Sequence, residues 1–268
     1  MERLKRTSSC EVVGTYFSSK PADDGRWKQL DVLDAEQCAG LIADHECVIN
    51  LTGQVSRPFA STLAGNGVGV LNISRLCSDL GIHLLHVSTV AVYGQSDNVV
   101  KEEHPPSPST TYGAVKAMSE QLAAAILPES QLGVIRLSNL FGPGQEKGLP
   151  AFLLRSFRNG TNIDFDNDGH MVRHFLHVKD AAAILEEAIL NAFSGTVHVS
   201  GPQAYSIRGV VDLFQQEYGP ILDISYADRA GWDSIEQFDT SVLESQFRFR
   251  PQQLLTEYIR NEAKTRDS

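Results

Sequence analysis

No apolar run in this 268-residue chain approaches the roughly 20 residues that a bilayer-spanning helix needs. The opening Met1-Glu2-Arg3-Leu4-Lys5-Arg6 is charged and carries no apolar stretch of a secretory leader. Cysteine is scarce: the four, Cys10, Cys38, Cys47 and Cys77, form no CxxC pair. That argues against a zinc site, so no metal is expected, and it fits a reducing cytoplasm. Positive charge is in deficit, with 23 Lys and Arg against 33 Asp and Glu for a net charge of -10. A surface of that sign argues against nucleic acid or any other polyanion as a partner, while leaving room for a local basic pocket around a single diphosphate. Internal repeats and low-complexity tracts are also missing. What remains is 42% apolar and 21% charged, an ordinary globular balance in a length that suits one large domain or one domain with a smaller lobe.

The first half alternates short apolar runs with amphipathic segments. Strands are expected over 11–17 (EVVGTYF), 47–51 (CVINL), 82–88 (IHLLHVS) and 132–137, and helices over 34–44, from about 56 to 80, and over 112–126. Strands separated by helices of this size imply βαβ units and a parallel sheet. Beyond residue 141 the pattern turns irregular, with short strands, Gly/Pro punctuation and helices near 177–192, 206–218 and 251–264. The start is unusual. Residues 1–8 read as the tail of a helix running straight into the strand at 11–17, where an α/β nucleotide-binding domain ordinarily begins with a strand and a Gly-rich turn.

Chemistry concentrates in Tyr112-Gly113-Ala114-Val115-Lys116 at the start of a predicted helix. The i, i+4 spacing sets both side chains on one face, and an ammonium near a phenol favours the phenolate. A phenol tuned in this way exchanges a proton with a hydroxyl while a hydride moves to or from a nicotinamide. Upstream, the strand at 82–88 ends in Ser88-Thr89, followed by Val90-Ala91-Val92-Tyr93-Gly94. A hydroxyl at the carboxyl end of a parallel strand points into the crevice where ligands sit, so Thr89 is placed to orient a reacting oxygen against Tyr112.

The run STVAVYG, then Glu102-Glu103-His104-Pro105-Pro106-Ser107-Pro108, then YGAVK with Glu120 resembles the active-site block of extended short-chain dehydrogenases/reductases of the nucleotide-sugar epimerase/dehydratase family. The resemblance extends from about residue 10 to 264. Arg136-Leu-Ser-Asn139-Leu-Phe-Gly142-Pro-Gly144 is similar to the family's RxxNxxGPG segment, and Val172-Arg173-His-Phe-Leu-His177 to its RDFIHVDD segment. Arg229-Ala-Gly231 resembles a second segment that supplies an arginine to a diphosphate, a ligand that a guanidinium fork suits. Leu30-Asp31-Val32 resembles the pair that meets adenine, Leu51-Thr52-Gly53 matches the turn along the dinucleotide, and Asn66 matches an Asn on the long helix.

The resemblance implies a Rossmann-like doubly wound parallel sheet, N-terminally incomplete, with a small C-terminal substrate-binding lobe. Residues 1–140 form the cofactor-binding region and 141–268 mainly the substrate lobe. Thr89, Tyr112 and Lys116 are the implied catalytic residues. Asp31, Val32, Leu51, Thr52, Gly53, Ser88, Tyr112 and Lys116 are implied to hold NAD or NADP, and Thr89, Asn139, Arg173 and Arg229 a nucleotide-diphosphate sugar. A cytoplasmic homodimer built on the helices at 56–80 and 112–126 completes the expectation.

Three departures qualify it. The family's GxxGxxG turn should precede the strand at 11–17, where there is no room for it, so weak cofactor binding is expected. Gly65-Asn66-Gly67-Val68-Gly69 is no replacement and reads as close helix packing. The stretch Thr15–Lys20, numbered 15–20, carries no acid for an adenosine ribose, which leaves NAD and NADP both open. Asp164-Phe-Asp166-Asn-Asp168-Gly169 copies half a calcium loop, but Phe175 stands where such a loop needs Glu, so calcium is rejected. Members that dehydrate the sugar carry an acid pair after the catalytic Thr, where this chain has Val90-Ala91. Epimerisation or ketoreduction therefore remain, with a catalytically silent binder of a nucleotide sugar or protein partner as the alternative.

Overall fold

Helix α1 (Ala35–Ile42) begins where the sequence supplies a cap. Asp34 lies in extended backbone, and its Oδ1 accepts from the backbone N–H groups of Glu36 and Gln37, each at 3.0 Å. These are donors that every helix start leaves unpaired. The Gln37 amide donates to Asp34 Oδ2 at 2.8 Å and accepts from the backbone N–H of Asp31 at 3.2 Å, which ties the helix to the preceding segment. The structure, a computed structural model, describes residues 10–21, 26–53, 59–220, 222–230 and 233–264. The expected helix tail at 1–8 lies outside the described residues. The chain divides into two compact units: Met1–Ser88, Ala114–Ile135 and Ala182–Thr196 in the first, Thr89–Gly113, Arg136–Ala181 and Val197–Ser268 in the second.

In the first unit, β1 (Gly14–Tyr16) pairs in parallel with β2 (Trp27–Gln29) as a two-stranded sheet. A second sheet runs in the order β3 (Cys47–Asn50), β4 (His83–Thr89), β5 (Leu132–Leu137), β9 (Gly195–Val199), with β3 and β4 parallel and Asn50 opposite His86. Among the described residues no ladder joins the two sheets. Every residue of β5 is buried, as its unbroken run of mostly apolar residues leads one to expect of a strand covered on both faces. The expected helix from 56 to 80 is interrupted. It becomes α2 (Phe59–Ala64), a π-turn at Gly65–Gly69 and α3 (Val70–Leu80). Three glycines in five residues weaken the helical ladder there, and the wider turn buries Asn66. Close packing holds for one end only: a Cβ on Gly69 would stand 2.6 Å from Val32 Cγ2, whereas one on Gly65 meets nothing within 4 Å. Ile42, Val70, Ile73, Cys77, Leu84 and Val134 form the apolar core of this unit, with Ala123 from α4 (Thr111–Ala124).

The second unit holds β6 (Asn139–Phe141), β8 (Val172–His177) and β10 (Ala204–Ser206) in the order β10-β8-β6, with β6 parallel and β10 antiparallel to β8. A separate parallel pair joins β7 (Ile163–Phe165) to β11 (Ile224–Tyr226). Helices α6 (Val178–Leu190), α7 (Ile207–Tyr218) and α9 (Leu255–Lys264) stand close to the expected positions, and α8 (Ser241–Gln246) is short. Helix α5 (Leu149–Asn159) escaped the sequence reading, which took the surrounding Gly and Pro as loop punctuation; Pro150 in its first turn and Gly160 just past its end are in fact boundary signals. It buries Leu153 and Phe157, and the Phe157 ring stacks on Phe214 of α7 with centroids 5.5 Å apart. No described helix is long and apolar enough to cross a membrane.

The contrast between the two glycines is measurable. Gly69→Ala forces a methyl against Val32 and is expected to cost about 1–3 kcal/mol, the usual size for overpacking. Gly65→Ala, with open space around it, should leave the urea midpoint near that of the unaltered chain. Equal midpoints for the two variants would refute the packing role of Gly69.

Candidate active site

Strand β4 delivers Thr89 at its end. The Thr89 Oγ1 accepts from the backbone N–H of Ala91 at 3.2 Å and so caps the single 3₁₀ turn Val90–Tyr93. Helix α4 starts close by in the same unit because residue 113 has no side chain: a Cβ there would lie 2.3 Å from the carbonyl oxygen of Ala91. This close approach accounts for the glycine in YGAVK, and it sets Tyr112 beside Thr89. The neighbouring Thr89 hydroxyl favours the phenolate, but burial outweighs it and pushes the Tyr112 pKa up. The expectation that Lys116 lowers it is therefore corrected. The Lys116 ammonium is occupied elsewhere, donating to the carbonyl oxygen of Thr52 at 3.2 Å.

Lys116 sits one turn further along α4 and is 2% exposed. Burial lowers its pKa to about 8, against the charge of Glu120, which favours the ammonium. The turn after β3 wraps this nitrogen. Gly53 has φ +134, and a Cβ there would stand 2.8 Å from both Lys116 Nζ and Asn66 Oδ1. Only glycine satisfies that backbone and that closeness together.

The other residues singled out on the cofactor side are engaged locally. Asp31 Oδ1 accepts from the backbone N–H of Leu33 at 3.0 Å, and the Val32 carbonyl accepts from Asn72 at 3.0 Å. Leu51 is 66% exposed at the end of β3. Ser88 Oγ and Asn66 Oδ1 are buried with no hydrogen-bond partner. An unmet buried polar atom costs about 1–3 kcal/mol, so both fit a site completed by hydroxyl or amide groups from a bound nicotinamide dinucleotide.

On the substrate side, Asn139 of β6 and Arg173 of β8 share the three-stranded sheet. Asn139 donates to the His174 carbonyl at 3.2 Å, and Arg173 donates to the carbonyl of Asp233. Arg229 follows β11 and pairs with the exposed Asp166 at 2.8 Å; Gly231 of its segment lies outside the described residues. The acids of the calcium-like run serve the turn instead. Asp164 accepts from Ser225, Asp168 Oδ1 accepts from the His170 N–H at 2.9 Å, and Asp166 holds Arg229. Among the described residues no three His, Cys, Asp or Glu side chains gather as a metal site.

Two buried polar networks were not read from the sequence. In the first unit His86, fully buried, lies 2.9 Å from Ser119 Oγ and 3.2 Å from Asn50 Nδ2. In the second, Arg136 donates to the Tyr93 hydroxyl at 2.8 Å and to the Glu102 carbonyl at 3.2 Å, with its guanidinium 4.7 Å from the Tyr93 ring centroid. His198 lies 3.1 Å from the same hydroxyl and 3.5 Å from Glu102 Oε1. The signal was present: Arg136 interrupts an otherwise apolar strand, His86 interrupts the apolar run Leu84-Leu85-His86-Val87, and buried polar groups need partners.

Comparison with known proteins bears on this arrangement. The model of the NAD dependent epimerase/dehydratase family matches residues 2–201. A dTDP-glucose 4,6-dehydratase from an Actinoplanes species is 32% identical over 246 residues, covering 85% of this chain and 76% of its own length. A putative epimerase from Burkholderia cenocepacia superposes with a TM-score of 0.81 at 27% identity, over 98% of this chain and 92% of the other. The UDP-glucuronic acid 4-epimerase of Bacillus cereus, solved with UDP-glucuronic acid and NAD, shares the fold at a TM-score of 0.83 and 18% identity, over 98% and 93% of the two chains.

Thr89→Val removes the hydroxyl that opposes burial at the phenol. The Tyr112 pKa should then rise further. Ultraviolet titration of the tyrosinate band, with Tyr112→Phe as the reference for the other tyrosines, reads the shift directly, and an unmoved Tyr112 would break the assigned pair.

Proposed function

The chain belongs to the NAD dependent epimerase/dehydratase family, and on that premise we propose that it is an NAD(P)-dependent epimerase or ketoreductase of a nucleotide-linked sugar, with Thr89, Tyr112 and Lys116 as its reacting set. The observation that carries this reading is the close approach of Gly113 to Ala91, which sets Tyr112 beside Thr89 at the end of a parallel strand, with Lys116 on the next turn of the same helix. The nicotinamide, when bound, supplies the hydride acceptor and donor. The Tyr112 oxygen, as phenolate, would take a proton from the sugar hydroxyl as that carbon becomes a ketone, and the resulting phenol would return it on reduction. Thr89 would orient that oxygen and favour the phenolate, and Lys116 stands one turn further along the same helix, donating to the Thr52 carbonyl.

Asp31, Val32, the turn Leu51, Thr52 and Gly53, and Ser88 would hold NAD or NADP. Asn139, Arg173 and Arg229 would hold the nucleotide sugar, whose diphosphate offers paired oxygens to a guanidinium fork. Residues 1–140 thus serve mainly the cofactor and 141–268 mainly the substrate. The relative from Actinoplanes is named for dehydration. In this chain Val90 and Ala91 follow Thr89, so no carboxyl stands there to remove a carbon-bound proton or to protonate a departing hydroxyl. Epimerisation and ketoreduction need neither group.

A homodimer in the cytoplasm completes the reading. Phe59, Leu63 and Val68 are exposed along α2 and the π-turn, an apolar strip suited to a second copy of the chain.

Tyr112→Phe should lower turnover of UDP- and dTDP-linked hexoses with NAD or NADP by roughly two to four powers of ten, the usual size of a lost acid/base group. Proton NMR of the sugar product separates an epimer from a reduced sugar, and unchanged turnover would remove Tyr112 from the reaction. Sedimentation at micromolar concentration should show a dimer; a monomer would contradict the assembly.

A further inference from the structure

The hydrogen bonds around Lys116 close into a ring. Lys116 Nζ donates to the Thr52 carbonyl at 3.2 Å. The Thr52 backbone N–H and its hydroxyl donate to Asn50 Oδ1 at 3.0 and 2.6 Å. With its oxygen so occupied, the Asn50 amide presents Nδ2 to His86 Nδ1 at 3.2 Å. His86 Nδ1 must then accept, which puts the ring proton on Nε2, where it donates to Ser119 Oγ at 2.9 Å. Ser119 Oγ in turn donates to the backbone carbonyl of Lys116 at 2.7 Å. Each group has one role only, and the ring returns to the residue where it began.

We propose that His86 is a positioning residue for the reaction assigned above, fixing the Lys116 ammonium through Ser119 on one side and through Asn50 and Thr52 on the other. The effect on turnover rests on that functional reading; the placement of Lys116 does not.

Four observations support it. Asn50 and His86 are direct partners in the parallel ladder of β3 and β4, so the sheet register itself aligns them. Asn50, His86, Ser119 and Lys116 are all buried, at 2%, 0%, 0% and 2% exposure, which leaves water no share in their pairing. Burial and the facing Lys116 charge hold the His86 pKa near 3, so the imidazole stays neutral and the ring keeps one polarity at any working pH. The titratable groups that face Lys116 are His86, from β4, and Glu120, from its own helix. An apolar side chain at position 86 would fill the space but leave the Asn50 amide and the Ser119 hydroxyl each short of a partner. Thr52 would lose its anchor, and the ammonium with it.

The test uses His86→Phe, Ser119→Ala and the double variant. The pH midpoint for labelling of Lys116 by an amine-reactive reagent is followed by peptide mass spectrometry. In the unaltered protein the midpoint should lie near the value of about 8 set by burial. In each variant a loosened ammonium reaches solvent, and the midpoint should move up towards that of an ordinary lysine. Turnover should fall about tenfold to a hundredfold with little change in KM, the scale expected for a misplaced reacting group. The double variant should be no worse than the poorer single one, because both cut the same ring. If His86→Phe does not fold, Ser119→Ala carries the test, since alanine is well tolerated in a helix. Folded variants that keep the original midpoint overturn the proposal. A shifted midpoint in a protein that turns over no nucleotide sugar upholds the positioning of Lys116 and overturns the functional reading instead.

Discussion

A buried ammonium organises the first unit. Lys116 is 2% exposed, and a lone charge at that depth would be driven neutral or expelled. The chain answers with a carbonyl from Thr52, a carboxylate at Glu120 and a glycine at 53 that lets the turn close over the nitrogen. Those three responses come from two places far apart in sequence, so holding the lysine also fixes the turn after β3 against α4. The turn after β3 and helix α4 are in this sense held as one, and burial at their junction lowers the Lys116 pKa to about 8.

The reacting pair follows a different logic. The phenol of Tyr112 is pulled in opposite directions by burial and by Thr89, and burial prevails. Burial favours the protonated phenol and Thr89 the phenolate. Arg173 and Arg229 are likewise satisfied within the chain, by the Asp233 carbonyl and the Asp166 carboxylate. The exposed Arg229–Asp166 pair contributes only about 0–1 kcal/mol.

What the sequence revealed was what local pattern controls. The strand over Leu132–Leu137, the helix that begins after Asp34 and the shared face of Tyr112 and Lys116 each follow from residues within a few positions of one another. The π-turn at Gly65–Gly69 and the helix Leu149–Asn159 were missed because Gly and Pro carry two meanings, break and boundary, which only the surrounding packing separates. The ring through His86 was illegible for a stronger reason. Asn50, His86 and Ser119 meet through sheet register and helix docking, at sequence separations of 36 and 33 residues, where no periodicity reaches. The site residues on the cofactor and substrate sides were named from resemblance, and the structure adds what each one touches.

The cluster of Arg136, Tyr93, Glu102 and His198 has a bearing on how this chain tolerates drift. Arg136 is 6% exposed and leans on the Tyr93 hydroxyl and ring, while burial presses His198 towards its neutral form against the pull of Glu102. Removing any one member strands the polar group of another, at a cost of about 1–3 kcal/mol for a buried group left without its partner. Replacing the set together by apolar groups carries no such penalty. A single exchange at these four positions therefore costs more than a joint one.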